Sequence, residues 1–317
     1  MTAITLKELN KIPERLASGH RLCAGCAESI IARQILMGTD KQVVVSAATG
    51  CFEVSTTIFP YTSWKTPYIH TAFGNAAATC AGAETAYRSL KRQGKIKEDI
   101  RFVTFAGDGG TYDIGLQALS GAAERGHNML YVCFNNEAYM NTGIQRSSAT
   151  GRGASTTTSW AGTEIPGKKE FPKDMTMIMA AHGIPYVAQA APHAWKDMVQ
   201  KAQKAFEIGG PAFINTISPC PRGWRFASSE TITMSKLAVE TCVWPLFEIV
   251  DNGTNYNLSP ESQRIADGQA EKRPITDWIN SQGRFSHLKD PKWKPVVESM
   301  QAEVDRKWEA LLKLCKL

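Results

Sequence analysis

Phe102-Val103-Thr104-Phe105-Ala106-Gly107-Asp108-Gly109-Gly110 opens the stretch that decides the fold, and Leu130-Tyr131-Val132-Cys133-Phe134-Asn135-Asn136 closes it. The two apolar runs read as strands. The residues from Asp113 to Arg125 between them read as a helix, so the whole is one βαβ unit. Parallel neighbours in such a unit end at the same edge of a sheet, which brings Asp108 and Asn136 side by side. The glycines let backbone approach a phosphate closely. An Asp carboxylate and an Asn carbonyl are hard oxygen ligands suited to Mg²⁺, which binds through a few protein oxygens and substrate phosphates. Gly-Asp-Gly by itself also fits a tight turn that holds nothing.

Outward from this unit, strand and helix patterns keep alternating. Val43–Ala47, Ile184–Gln189 and Ala212–Ile217 read as strands, and helices are expected over 29–36, 75–87, 174–182 and 193–207. The repeated order argues for an α/β protein with a doubly wound parallel sheet. Residues 1–20 read as an arm with a helix from Leu6 to Leu16. Thr56 to Phe73 is an aromatic and proline-rich connection above the sheet edge, where such long loops often join a site. His70 within it is a candidate donor to a diphosphate. Ile144 to Lys173 is rich in Ser, Thr and Gly and reads as an irregular cover over a ligand or a contact with a partner. After residue 230 the pattern changes. One strand candidate (244–250), a polar stretch (251–273) and two helices (275–281 and 294–314) are expected, and 231–317 reads as an extension packed on the domain of 1–230 or on a neighbouring subunit.

Four cysteines stand at loop positions: Cys23 and Cys26 ahead of a helix, Cys51 just past the first strand, and Cys220 just past the strand 212–217. A lone Cys-x-x-Cys fits a redox disulfide, zinc or iron–sulfur. Because the carboxyl ends of parallel strands converge, all four thiolates could close one site, and tetrahedral thiolate geometry suits zinc and an iron–sulfur cluster equally. Cys80 and Cys133 fall in apolar elements and read as small core residues; Cys242 and Cys315 read as structural.

Composition narrows the class. The chain has 317 residues, 43% apolar and 21% charged, with a formal charge of +6. No Lys/Arg block suggests nucleic acid. No apolar run approaches the ~20 residues of a membrane span. The start, Met1 to Lys7, lacks a signal-peptide pattern. A cytoplasmic protein is therefore expected, in which clustered cysteines point to metal rather than disulfides.

Gly107-Asp108-Gly109 followed by Asn136 resembles the thiamine diphosphate motif. With His20-Arg21-Leu22-Cys23-Ala24-Gly25-Cys26, Ala48-Thr49-Gly50-Cys51, Asn136–Gly143, Pro219-Cys220-Pro221-x-Gly223-Trp224 and Gln282-Gly283-Arg284-Phe285, nearly the whole chain resembles the β subunit of the 2-oxoacid:ferredoxin oxidoreductases, most closely the pyruvate type. The resemblance implies a thiamine diphosphate-binding fold. It implies a 4Fe–4S cluster on Cys23, Cys26, Cys51 and Cys220, and Mg²⁺ on Asp108, Asn136 and the Ala138 carbonyl. Gly50, His70, Gly107, Gly109, Thr142 and Gly143 are expected around the cofactor, with Asn141 near the thiazolium and substrate as the catalytic candidate. Glu28 matches a Cys-Gly-Glu pattern with Ala27 in place of Gly. The implied partners are an α subunit that supplies the thiamine-activating glutamate and the substrate-selecting groups, a ferredoxin-like cluster subunit, and ferredoxin. The 2-oxoacid substrate would react with coenzyme A, and the chain alone would be inactive. Gly151-Arg152-Gly153, where pyruvate-type chains usually continue with Pro, leaves oxalate oxidoreductase as the alternative, with Arg152 as an extra cation. Another 2-oxoacid enzyme follows. A non-redox thiamine lyase would need no cluster, and a scaffold would need no diphosphate site.

Overall fold

The structure, a computed structural model, describes residues 5–316. Met1 to Ile4, part of the N-terminal stretch read above, lie outside the described residues. One eight-stranded sheet runs β2-β1-β3-β4-β6-β5-β7-β8. In chain order the strands are β1 (Gln42–Ala48), β2 (Tyr68–Thr71), β3 (Ile100–Gly107), β4 (Leu130–Asn135), β5 (Tyr186–Ala190), β6 (Ala212–Ile217), β7 (Phe247–Val250) and β8 (Asn255–Leu258). The first six pair in parallel; β7 joins β5 antiparallel and β8 joins β7 antiparallel. The helices are α1 (Leu6–Leu9), α2 (Ala27–Leu36), α3 (Cys51–Thr56), α4 (Ala76–Arg92), α5 (Leu116–Glu124) and α6 (Met175–Ala180), then α7 (Trp195–Glu207), α8 (Pro221–Trp224), α9 (Thr231–Glu240), α10 (Pro260–Ala266), α11 (Ile275–Asn280) and α12 (Lys294–Leu314).

Both faces of the sheet are covered, as doubly wound topology requires. Successive side chains of a strand point to opposite faces, so Val103 and Phe105 pack with α2, α3 and α7 while Phe102 and Ala106 pack with α4 and α5. The same alternation splits Val132 and Phe134 from Tyr131 and Cys133. Four rings, Phe52, Trp64, Phe105 and Phe134, form a buried cluster beneath α3, with Phe105 and Phe134 stacked at 5.2 Å. Cys80 and Cys133 are buried in the core, as expected.

Several elements differ from the sequence reading. The N-terminal helix is α1 alone, because Pro13 disfavours a helical conformation for the residue before it. Within the aromatic loop, Tyr68–Thr71 forms the edge strand β2, paired along Val45–Ala48. The helix of the central unit begins later than expected. The chain first makes a π-helical turn over Gly109–Asp113, in which the Thr111 hydroxyl donates to the Gly107 carbonyl at 2.8 Å. At Gly115 a Cβ would lie 2.0 Å from the Gly110 carbonyl oxygen, so only glycine lets the chain leave this turn. The polar stretch 251–273 holds β8 and α10, whose apolar content is too small to announce them. Helix α12 spans Lys294–Leu314 as its periodicity predicts and buries Met300, Trp308 and Leu311. Among the described residues, no helix is long and apolar enough to cross a membrane.

Candidate active site

In the sheet β1 lies between β2 and β3, so the chain leaves β1 to one side and returns on the other. Ligands of open α/β sheets bind at such a switch point, outside the carboxyl ends of the strands. A cleft opens there. It is lined by Gly50 and Cys51 after β1, by Gly107 and Gly109 after β3, and by Asn136, Ala138, Asn141 and Thr142 after β4. Parallel pairing of β3 with β4, with Gly107 opposite Phe134, brings the two motif halves together.

Asp108 is fully buried. Its Oδ2 accepts a hydrogen bond from the Ser147 hydroxyl, while its Oδ1 has no partner. Burial pushes its carboxyl up to about 8, against the Ser147 hydrogen bond. Asn136 turns its amide nitrogen toward Glu28, donating to Oε1 at 3.2 Å, which leaves its carbonyl oxygen with only the Ala138 N–H at 3.3 Å. An unpartnered buried carboxylate oxygen, an oriented amide carbonyl and the Ala138 backbone carbonyl are hard-oxygen donors of the kind that could hold a small divalent cation. Glu28 is itself buried, lines the cleft and is pushed up to about 7 by that burial.

The glycines have separate reasons. A Cβ on Gly109 would lie 2.4 Å from the Tyr139 ring, and Tyr139 in turn stacks on Phe73 at 5.5 Å across the mouth of the cleft. Gly143 turns the chain with φ +120°, a conformation that favours glycine. Gly50 is extended and simply lines the cleft. His70 does not line the cleft. It sits half-exposed, bonded to the Thr49 hydroxyl at 2.8 Å and 3.6 Å from Glu53.

Of the four loop cysteines, Cys51 lines the cleft, and the other three lie within electrostatic reach of one another or of it. Burial is the main cause that raises the thiols of Cys26, Cys51 (to about 12) and Cys220 (to about 11), and Cys26 also feels Cys51 and Cys220 while the latter two feel Cys23. Asn141 lines the cleft together with Cys51, so the catalytic candidate stands on the same wall as one of the four cysteines. Gly223 N–H points to Cys220 Sγ at 3.4 Å. Among the described residues, no three His, Cys, Asp or Glu side chains converge as the ligands of one metal ion. Arg152 stands away from the cleft, donating Nε to Ser299 at 3.1 Å and lying over Phe171 at 5.0 Å. The extra cation read from the sequence is therefore not at the site.

Sequence reasoning missed several supports. Ser147 belongs to an irregular stretch with no periodic signal, yet it holds Asp108. Trp224, beyond Cys220, donates its indole N–H to the Asn136 backbone carbonyl at 2.8 Å. Lys168, almost wholly buried, donates to the Thr150 carbonyl at 2.6 Å and steadies the segment that carries Ser147.

Comparison with known proteins matches residues 48–216 to the family described as thiamine pyrophosphate enzyme, C-terminal TPP binding domain. The chain is 46% identical to pyruvate synthase subunit PorB of Thermotoga maritima over 97% of this chain and 94% of the relative. It is 49% identical to PorB of Methanocaldococcus jannaschii over 94% and 96%. Ketoisovalerate oxidoreductase subunit VorB of Pyrococcus horikoshii is 38% identical over 96% and 94%. Among solved structures, a 2-oxoglutarate:ferredoxin oxidoreductase from Magnetococcus marinus shares the fold, with a TM-score of 0.54 and 22% identity over 74% of this chain and 81% of that one. The switch-point cleft, its Gly-Asp-Gly turn and these full-length similarities lead to one conclusion: this chain belongs to the thiamine pyrophosphate enzymes and, within them, to the β subunits of the 2-oxoacid:ferredoxin oxidoreductases.

Proposed function

We propose that this chain is the subunit of a pyruvate:ferredoxin oxidoreductase that holds thiamine diphosphate, Mg²⁺ and a 4Fe–4S cluster, in an enzyme that converts pyruvate and coenzyme A to acetyl-CoA and CO₂ and passes the electrons to ferredoxin. The observation that carries the reading is the buried, unpartnered Oδ1 of Asp108, whose flanking Gly107 and Gly109 line a cleft together with Asn136, Ala138 and Cys51. Asp108, Asn136 and the Ala138 carbonyl would hold Mg²⁺, and Cys23, Cys26, Cys51 and Cys220 the cluster. When bound, thiamine diphosphate supplies an electron sink for breaking the bond to the substrate carboxylate, and the cluster a one-electron acceptor.

The chain's own residues do the rest. Ser147 and the Asn136–Glu28 hydrogen bond orient the oxygens toward the cation. Gly107 and Gly109 keep side chains out of the diphosphate's path, and Tyr139 with Phe73 walls the cleft against water. Asn141, which lines the cleft with Cys51, would donate to a developing oxyanion. Cys51 and Cys220 follow the carboxyl ends of β1 and β6, the sheet edge at which the cleft lies, so a cluster held there would be a neighbour of the bound cofactor.

Pyruvate is favoured by the full-length similarity to PorB subunits. Oxalate loses its motivating cation, because Arg152 is engaged elsewhere. The working form is a hetero-oligomer with an α subunit that supplies the activating glutamate and a ferredoxin-like subunit, in the cytoplasm of an anaerobic metabolism. Residues 1–230 form its catalytic unit and 231–317 the extension packed on it. The test is iron, sulfide and thiamine analysis of the complex purified anaerobically, with Asp108→Ala alongside. Iron and thiamine together, with Mg²⁺-dependent thiamine retention lost in the variant, support the reading. Thiamine without iron, or normal retention in the variant, overturns it.

A further inference from the structure

We infer that Arg284, from the Gln282-Gly283-Arg284-Phe285 turn of the extension, is a positioning residue that locks the metal-binding turn Asn136–Ala138 and the Cys220 loop against each other. The inference rests on the cofactor assignment above and gives the extension a role in the site.

Glu137 stands between two proposed magnesium ligands with φ +62°, a left-handed conformation that side chains rarely adopt. Three contacts hold it. Asn135 Oδ1 accepts its N–H at 3.1 Å, the Thr150 hydroxyl donates to its carbonyl at 2.7 Å, and its buried carboxylate meets the Arg284 guanidinium at 2.7 Å. Strain of this kind persists only where the surroundings over-determine it, and functional sites are where it collects.

Arg284 is 3% exposed and lines no part of the cleft. Its Nε donates to Gln282 Oε1 at 2.8 Å, and its guanidinium carbon lies over the Trp224 ring, 4.2 Å from the ring centre. Trp224 is fully buried. Its backbone N–H reaches the Cys220 backbone carbonyl at 2.9 Å, and its indole N–H reaches the Asn136 backbone carbonyl at 2.8 Å. One guanidinium thus touches the metal turn by charge and the cysteine loop by stacking, and the indole closes the circuit between them. Burial lowers its pKa, and the charges of Glu137, Cys220 and Asp108 oppose that fall, so the cation feels both ligand sets.

The turn that presents Arg284 is fixed by backbone contacts. Gly283 N–H donates to the Arg225 carbonyl at 3.1 Å, a Cβ there would lie 2.8 Å from Arg225 Cβ, and Ser155 N–H donates to the Arg284 carbonyl at 3.0 Å. A lysine would keep the charge but lose the planar fork that pairs and stacks together.

The test compares wild type with Arg284→Lys, Arg284→Gln and Glu137→Gln in the assembled complex, purified anaerobically. Three quantities are read: melting temperature, thiamine diphosphate affinity with Mg²⁺ by calorimetry, and the cluster's midpoint potential by spectroscopic redox titration. Removal of a ligand's supporting partner weakens metal sites about 10- to 100-fold. A loss of that size in thiamine diphosphate affinity is expected in all three variants. In Arg284→Gln the midpoint should also fall, and Arg284→Lys should restore the midpoint but not the affinity. Lower melting temperatures with unchanged affinity and midpoint would reduce Arg284 to a folding element and overturn the inference. If Arg284→Gln does not assemble, Arg284→Lys and Glu137→Gln decide it. A wild-type complex without thiamine or iron would instead overturn the cofactor assignment on which the inference stands.

Discussion

Cys51 heads α3 and lines the cleft alongside Asn141. Cys51→Ser should remove most of the iron from the purified complex while thiamine content stays near wild type; unchanged iron would refute the ligand role. Lys168 gives a pH-dependent expectation. Burial lowers its pKa from 10.5 to about 8, so between those values the folded chain binds fewer protons than the unfolded one. Stability contributed by this group therefore rises with pH across that window. Against wild type, Lys168→Met should flatten the rise in melting temperature between pH 8 and 10; an identical slope would contradict the assignment. At this scale the sequence revealed the ligand candidates, because their motifs are local. It hid Ser147 and Lys168, and it showed Trp224 and Arg284 only as motif letters without roles, because each acts on residues distant in the chain.

The glycine turn after β3 is the element on which the cleft depends. Gly109→Ala would drive a methyl group into the Tyr139 ring, 2.4 Å away, and displace it from Phe73. Overpacking of this kind costs about 1–3 kcal/mol, which is roughly a 5- to 150-fold loss if expressed in cofactor affinity. A thiamine titration of the variant complex checks it, and wild-type affinity would show that the ring has room to move. The elements around this turn were legible to different degrees. Strands β3, β4 and β6 and helix α12 announce themselves by sustained apolar patterning, and their observed bounds fall close to those read. The short edge strands did not. Tyr68–Thr71 lies among prolines and aromatics, and Asn255–Leu258 alternates polar residues at an edge where only one neighbour pairs with it. The π-helical turn was also invisible, since its cause is the close approach of Gly115 to Gly110 across the turn.

At the scale of the whole molecule, the sheet order puts the switch point between β1 and β3, and the glycine turn after β3, the Asn136 loop and the Cys51 loop meet there. The alternating pattern along the chain told the fold class and the convergence of strand ends, but not the order of strands, which depends on the crossovers. In the tail it told a strand and two helices but not how they pack: β7 and β8 extend the sheet beyond β5, while α11, α12 and the Arg284 turn pack into a third core around Trp224 and Trp278. The central claim is that this architecture couples pyruvate decarboxylation to electron release. Its most direct test is viologen reduction by the complex purified anaerobically, with pyruvate, oxalate, 2-oxoglutarate or 2-oxoisovalerate, each with and without coenzyme A. The account predicts reduction with pyruvate that requires coenzyme A. Reduction with oxalate that ignores coenzyme A, or no reduction by any of the four in a complex that holds thiamine and iron, would contradict it.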